Sequence, residues 1–417
     1  MTSQDRNKAE LDDFWTLYRD DATPANLFTD DDFGHDDSAL FWDDMGEGSG
    51  DMSKTTSYIT WKRISDVYDD THTLFGSTGI QHEDMRQGFI GNCWFISGAS
   101  VLAEIPGRME KVFVNPDNKI SRNGIYAMNF YTLGLPHTII VDDYLPLREW
   151  GNGWNTLFAA VSEDKGLWGP IIEKAFAKYH GNYEHIIGGN PNYAVRTLSG
   201  APFYHQMHET TSVDDLWNIL STHDQIDDII QAGTGGTNHF TEGIQGLANG
   251  HAYSVIGVKE LSNGTKLVVM RNPWGSEGFT GDWSDGSSLW TDELKEEAGW
   301  EKKNDGKFFM SVADYKEQAA YTLVAKDVTD WNTASFLKLN DTTGSNNSSP
   351  AWFCGEECTE HKFTLTSAVA QEVWLTAHTW DDRCMANKCK SDDWTKFHGV
   401  SAEGVGNVIF KYGDLAF

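Results

Sequence analysis

One cysteine, Cys93, stands alone in the first 350 residues of this 417-residue chain. A thiolate attacks where a thiol does not, and two things lower a thiol's pKa: a helix N-terminus and a neighbouring imidazolium. The run CWFISGASVLAE (93–104) has Gly98 as its only strong breaker and stops before Pro106. It predicts a buried helix starting at Cys93, with Asn92 in position to cap it. The histidine comes from HAYSVIGVKEL, opened by His251, and a third polar residue, Asn272, closes KLVVMRN. Asn263-Gly264 between these β-rich runs is a strong hairpin signature, so His251 and Asn272 lie at the same end of the hairpin. An Asn amide accepting from one imidazole nitrogen would hold the ring and leave the other nitrogen for the sulfur. A two-residue turn would pair Val255 with Asn272 and leave His251 about 13 Å away. A bulge or a shifted register is therefore expected. Taken singly, each residue reads as structural; the combination of lone Cys, distant His and Asn points to nucleophilic catalysis.

The elements that must position these residues are legible in part. IYAMNFYTL (125–133) and HTIIVDDYLPL (137–147) read as two strands around the Gly134–Pro136 break. PIIEKAFAKYHG (170–181) reads as a helix with Pro near its start and Gly after its end. Gly188-Gly189-Asn190-Pro191 marks a boundary, and Ser212 followed by VDDLWNILSTH reads as a capped helix with acids in its first turn. The Gly-rich stretch 232–250 reads as a long loop, and His205-x-x-His208-Glu209 as loop surface rather than a metal motif. Beyond residue 330, DTTGSNNSSP (341–350) reads as a linker into alternating runs, HKFTLTS and QEVWLTAHT, expected to be strands of a small β-domain.

Composition bounds the rest. With 62 Asp and Glu against 32 Lys and Arg, the net charge is −30, which excludes a general nucleic-acid binder and gives no attraction to anionic membrane surfaces. Apolar residues make up 39% and the 17 Trp supply core-forming surface, which excludes a mostly disordered chain. No run approaches the length of a transmembrane helix, and MTSQDRNKAELDDFW lacks the apolar segment of a signal peptide, so an intracellular, cytoplasmic location is expected. Residues 1–50 carry 14 acidic against 3 basic residues with Phe14, Trp15, Leu17, Phe41 and Trp42 interleaved. They read as a solvated acidic arm or one packing loosely by its aromatics.

QGFIGNCWFISGASVL around Cys93, GHAYSVIGV around His251 and RNPWGSEGFTGDWSD around Asn272 resemble the three catalytic blocks of the calpain family of cysteine proteases. WKRISDV (61–67), VDDYLPL (141–147), IIEKAFAKYHGNYE (171–184) and DGKFFMSVADY (305–315) are similar to that family's protease core, in continuous order from about residue 25 to 330. The resemblance implies an α+β, papain-like, two-lobed core: an acidic extension (1–54), a nucleophile lobe (55–188), a His/Asn lobe (189–330) and a small C-terminal β-rich segment (331–417). It implies a Cys93–His251–Asn272 triad acting on protein or peptide substrates, and it gives Gln87 the role of side-chain donor to the oxyanion hole beside the Cys93 N–H. Trp274 matches a family tryptophan that acts as a wedge between the lobes or covers the His–Asn contact.

By the same resemblance calcium is the cofactor, with a first site at the Gly79 carbonyl, Asp84 and Glu163, and a second at Asp285 and Asp305. Calcium takes six to eight oxygens, and Gly278 and Lys307 stand where the family usually places glutamates. The expectation is one good site in the first lobe and a weak or absent one in the second, where Glu277, one residue early, offers a substitute carboxylate. No EF-hand pattern occurs. Cys354, Cys358, Cys384 and Cys389 form C-x3-C and C-x4-C pairs, open to zinc, disulfides or free thiols. Two rivals to a calcium-regulated endopeptidase are a catalytically silent calpain-like regulatory module and a transglutaminase-type acyl transferase. The first should have lost a triad member, and the second should carry Asp where Asn272 stands.

Overall fold

The computed structural model describes residues 3–18, 26–41, 59–132, 135–151, 153–236 and 243–328, with two short paired strands at Trp374–Leu375 and Phe410–Lys411. The linker expected at 341–350, the HKFTLTS strand and the four C-terminal cysteines lie outside the described residues, as does most of the expected C-terminal β-domain.

After α1 (Ser3–Leu17) and α2 (Asp37–Leu40), the first half is built around α3 (Cys93–Leu102) and α4 (Trp168–His180). Every residue of α3 is buried, as its mostly apolar sequence without a charged residue demands. Gly181, at φ +102°, ends α4 as the sequence predicts. Beside these helices lie a hairpin of β2 (Ile125–Thr132) and β3 (Leu135–Asp142) and a three-stranded sheet, β1 (Thr60–Arg63), β4 (Tyr144–Trp150) and β5 (Gly153–Thr156), in the order β1-β4-β5. The run 137–147, expected as one strand, is thus two strands in different sheets. The break falls at Asp143, whose buried carboxylate pairs with Arg63.

The second half is a six-stranded antiparallel sheet ordered β10 (Lys307–Ser311), β9 (Lys266–Arg271), β8 (Ala252–Glu260), β7 (Ile229–Thr234), β11 (Ala319–Ala325), β6 (Phe203–Met207). Its helix at Val213–Asp224 is capped by Ser212, whose hydroxyl accepts from the Asp215 N–H at 3.1 Å. Two of the sheet's own clusters, one around Tyr253, Met270 and Phe308 and one around Trp283, Trp290 and Phe309, are distinct from the larger core of the first half.

Three expectations are corrected. The boundary at 188–191 precedes a helix, Pro191–Ser199, whose Ala194, Val195 and Leu198 belong to the first core, so the helix packs with the preceding half. The His205–Glu209 stretch is strand β6 and a 3-10 turn rather than loop surface. His208 is buried with Nε2 2.7 Å from Thr322 Oγ1, and burial pushes its pKa down to about 4. The acidic N-terminus is neither loose nor simply solvated. Its helix Ser3–Leu17 buries Phe14 against Ile125 and Ala127, and Glu10 accepts the Thr138 N–H at 2.8 Å. Asp30 then grips Lys178 through both carboxylate oxygens at 2.8 Å.

Candidate active site

Cys93 is the first residue of α3, with its side chain 6% exposed. Burial raises the thiol's pKa, and the nearby backbone N–H groups of Ala252, Trp94 and Cys93 itself oppose the rise. Two of these donors are the open N–H groups of a helix start, which favour negative charge. The third comes from strand β8 of the other half and belongs to the residue that follows His251. The sulfur therefore sits against the histidine's own stretch of chain. Asn92 occupies the cap position without making the expected cap bond; its Nδ2 donates to Glu173 Oε1 at 2.7 Å.

His251 is buried, and its Nε2 lies 3.0 Å from Asn272 Oδ1. The same oxygen accepts the Trp274 N–H at 3.1 Å, so it faces donors and places the ring proton on Nε2, which leaves Nδ1 as the basic nitrogen. Register explains how the two residues meet. Five residues, 261–265, rather than two connect β8 and β9, with Gly264 at φ +83° in the left-handed region that the turn needs. A bulge between Val255 and Gly257 then shifts the pairing so that Ser254 faces Arg271. His251 and Asn272 lie just beyond the paired ends. The Trp274 ring covers the imidazole at 4.6 Å between centroids and is 37% exposed.

Gln87 reaches the same place from the first half. Its N–H donates to the Pro273 carbonyl at 2.8 Å, and its Nε2 donates to the Ile90 carbonyl at 2.7 Å, which leaves one amide hydrogen uncommitted. Gly88 is required next to it, because a Cβ there would lie 1.8 Å from the Phe158 carbonyl oxygen. Helix-start N–H groups, a second-half imidazole oriented by an amide and a side-chain amide donor are the parts that acyl transfer through a thiolate needs.

The proposed calcium ligands are placed less favourably. Asp84 Oδ2 accepts from the Gln81 N–H at 2.8 Å and from Trp168 Nε1 at 3.1 Å, and burial pushes its carboxyl up to about 6. Glu163 pairs instead with Arg86, which holds its carboxyl below the usual range. Gly79 lies in the left-handed region at φ +79°. In the second half, Glu277 and Asp285 share a hydrogen bond. Burial first, then the Asp285 charge, pushes Glu277 up to about 7, with Asp305 adding repulsion. Asp285 also accepts from Trp300 Nε1 at 2.9 Å, and Lys303 lies 3.4 Å from Asp305. Carboxylates at both positions are committed to protein donors, Asp84 and Glu163 at the first and Asp285 and Asp305 at the second. Among the described residues no three His, Cys, Asp or Glu side chains are arranged as metal ligands, so as placed they do not form a calcium cage.

Two residues near the site were not singled out from the sequence. Glu173 is buried behind Asn92, accepts the Ala159 N–H at 2.7 Å, and is pushed up to about 7 by burial. Arg271 precedes Asn272 and is fully buried. The sequence signal for both was a charged residue inside an apolar run, at 173 in helix α4 and at 271 in strand β9.

The sequence model of one family, calpain family cysteine protease, matches residues 28–325. The chain belongs to the calpain family. Calpain-type cysteine protease ADL1 of Oryza sativa subsp. japonica is 32% identical over 303 residues, covering 69% of this chain and 13% of that protein. Calpain-8 of Rattus norvegicus is 30% identical over 354 residues, covering 78% of this chain and 47% of the rat protein. Calpain-14 of Homo sapiens is 30% identical over 288 residues, 67% of this chain and 41% of the human one. The chain thus spans less than half the length of these calpains. Its mixed helices and sheets agree with an α+β protease core, and no helix among the described residues is long and apolar enough to cross a membrane.

Proposed function

We propose that this calpain-family chain is an intracellular, calcium-regulated cysteine endopeptidase performing limited cleavage of protein substrates. In this reading the two halves are the lobes of a papain-like core, and substrate lies between them. His251 Nδ1 takes the Cys93 proton to give an ion pair, and the thiolate attacks the peptide carbonyl. The Cys93 N–H and the uncommitted Gln87 amide hydrogen hold the oxyanion. His251 then protonates the leaving amine, and water releases the acyl-enzyme. The observation that carries the reading is the His251 Nε2 to Asn272 Oδ1 contact of 3.0 Å, next to Pro273, whose carbonyl takes the Gln87 N–H at 2.8 Å from the half that carries Cys93. Calcium regulation rests on family membership; calcium would hold carboxylates together that otherwise repel, and no step above runs through it.

A second reading, a silent regulatory module, is favoured by one arrangement: burial pushes the Cys93 thiol's pKa up, and Trp274 covers the histidine. Peptide cleavage by wild type and Cys93→Ala, each in calcium and in chelator, separates the two. Calcium-stimulated cleavage lost in Cys93→Ala supports the endopeptidase; equal background cleavage in all four conditions overturns it.

A further inference from the structure

Arg271 is an arginine with no exposed surface. Among the described residues it forms no ion pair, and its Nε has no hydrogen-bond partner. Its three hydrogen bonds all go to neutral acceptors in the first half. Nη2 donates to the carbonyls of Glu83 and Met85, both at 2.9 Å, and Nη1 donates to Ser100 Oγ at 3.0 Å. The Ser100 hydroxyl passes the contact on, donating to the His82 carbonyl at 2.7 Å. A buried guanidinium without a carboxylate partner is costly, and such a group persists where its directional donors hold something in place. What these donors hold is the segment 82–85, which leads directly into Gln87.

The same strand end holds that segment's other end. Pro273, two residues after Arg271, accepts the Gln87 N–H at 2.8 Å. Between them, Asn272 orients His251. The tripeptide Arg271-Asn272-Pro273 therefore grips the imidazole of its own half and both ends of the segment that carries the oxyanion donor of the other.

We propose that Arg271 is a positioning residue for the oxyanion hole, fixing Gln87 relative to Cys93 from across the junction of the two halves. This rests on the endopeptidase reading above. A misplacement of about 1 Å at a reacting centre costs on the order of a hundredfold, and loss of one oxyanion donor costs on the order of a hundred- to a thousandfold in kcat.

The test compares Arg271→Met, Arg271→Lys and Gln87→Ala with wild type in three assays: peptide hydrolysis, inhibition by a peptide aldehyde and alkylation of Cys93 by iodoacetamide. The aldehyde forms a tetrahedral adduct needing the oxyanion hole, whereas alkylation needs only the thiolate. Arg271→Met should lower kcat by about ten- to a hundredfold with KM nearly constant, and weaken the aldehyde by the same factor. Its alkylation rate and pH profile should stay at the wild-type values. Arg271→Lys should recover part of the loss, and Arg271→Met should cost little in a Gln87→Ala background. Equal losses in alkylation and aldehyde binding, or no loss in either, overturn the proposal. If the Arg271 variants do not fold, Ser100→Ala, which removes one acceptor, carries the same comparison with a smaller expected effect. If wild type binds the aldehyde through Cys93 yet cleaves no peptide, the endopeptidase reading fails while the aldehyde comparison still decides the role of Arg271.

Discussion

Replacing Asn272 by alanine removes one oxygen that accepts two hydrogen bonds, from His251 Nε2 at 3.0 Å and from the Trp274 N–H at 3.1 Å. The first of these fixes which imidazole nitrogen carries the proton and where the other one points. Its donor is buried. A hydrogen bond to a charged group is worth about 1.5–3 kcal/mol, so kcat/KM should fall roughly ten- to a hundredfold. The imidazolium loses its acceptor, which disfavours the charged ring. The alkaline limb of the pH–rate profile, where the histidine loses its proton, should therefore move toward acid. Asn272→Asp retains an acceptor oxygen and should recover most of the loss. The assay is kcat/KM on a peptide from pH 5 to 9 for the three proteins, with thermal unfolding as a control. An Asn272→Ala enzyme within about twofold of wild type, with its alkaline limb unmoved, would refute the view that this contact orients the catalytic base.

Three further outcomes are expected. Glu104, at the end of the nucleophile helix, is pushed up to about 7 chiefly by burial and then by Asp224 of the other half. The native state holds its proton more tightly than the unfolded chain, so stability from this group is lost as pH rises through about 7. Glu104→Gln should raise the denaturation midpoint at pH 8 and leave it nearly unchanged at pH 5; no difference between the two pH values would count against it. Because the carboxyl of Glu277 is pushed up to about 7, any calcium drawn in by a rearrangement of Glu277, Asp285 and Asp305 must displace a proton at pH 6 and very little at pH 8. Calorimetry of the Cys93→Ala protein in buffers of different ionisation enthalpy reads this directly, and binding with no proton release at pH 6 would exclude the trio. Phe14→Ala should undock the N-terminal helix at a local cost of about 3–5 kcal/mol, visible as faster amide exchange and proteolysis around residues 3–18 with the main unfolding transition retained. Unchanged exchange there would mean that Phe14 does not anchor the helix.

The nucleophile helix and α4 were legible because their signals are local: an apolar run stopped before Pro106 in one, Pro170 and Gly181 in the other. Ser212 as a cap was legible for the same reason. What could not be read depends on partners far along the chain. The strand break at Asp143 exists because Arg63, 80 residues earlier, takes its carboxylate. His208 is buried because Thr322, 114 residues later, receives its ring nitrogen. The hairpin signature located the His–Asn end correctly but implied a two-residue turn; the five-residue connection and the bulge before Gly257 supply the register that the sequence could only require. Arg271 shows in the sequence only as a charge at the end of an apolar run, because two of its three acceptors are backbone carbonyls, which carry no residue-type signal. Counts of carboxylates likewise do not show that Arg86 pairs with Glu163 and that Trp168 donates to Asp84.

The central claim is that the Cys93 sulfur and the His251 ring act as one ionised pair, and its most direct measurement is the pH dependence of Cys93 alkylation in wild type and His251→Ala. In conditions where wild type cleaves peptides, a small alkylating agent should react with Cys93 well below pH 7. In His251→Ala that acid reactivity should vanish and leave a single rise above the ordinary thiol pKa of about 8.5, because burial pushes the Cys93 thiol up. The same profile in both proteins would mean that the histidine does not ionise the sulfur, and the proteolytic mechanism would fall with it.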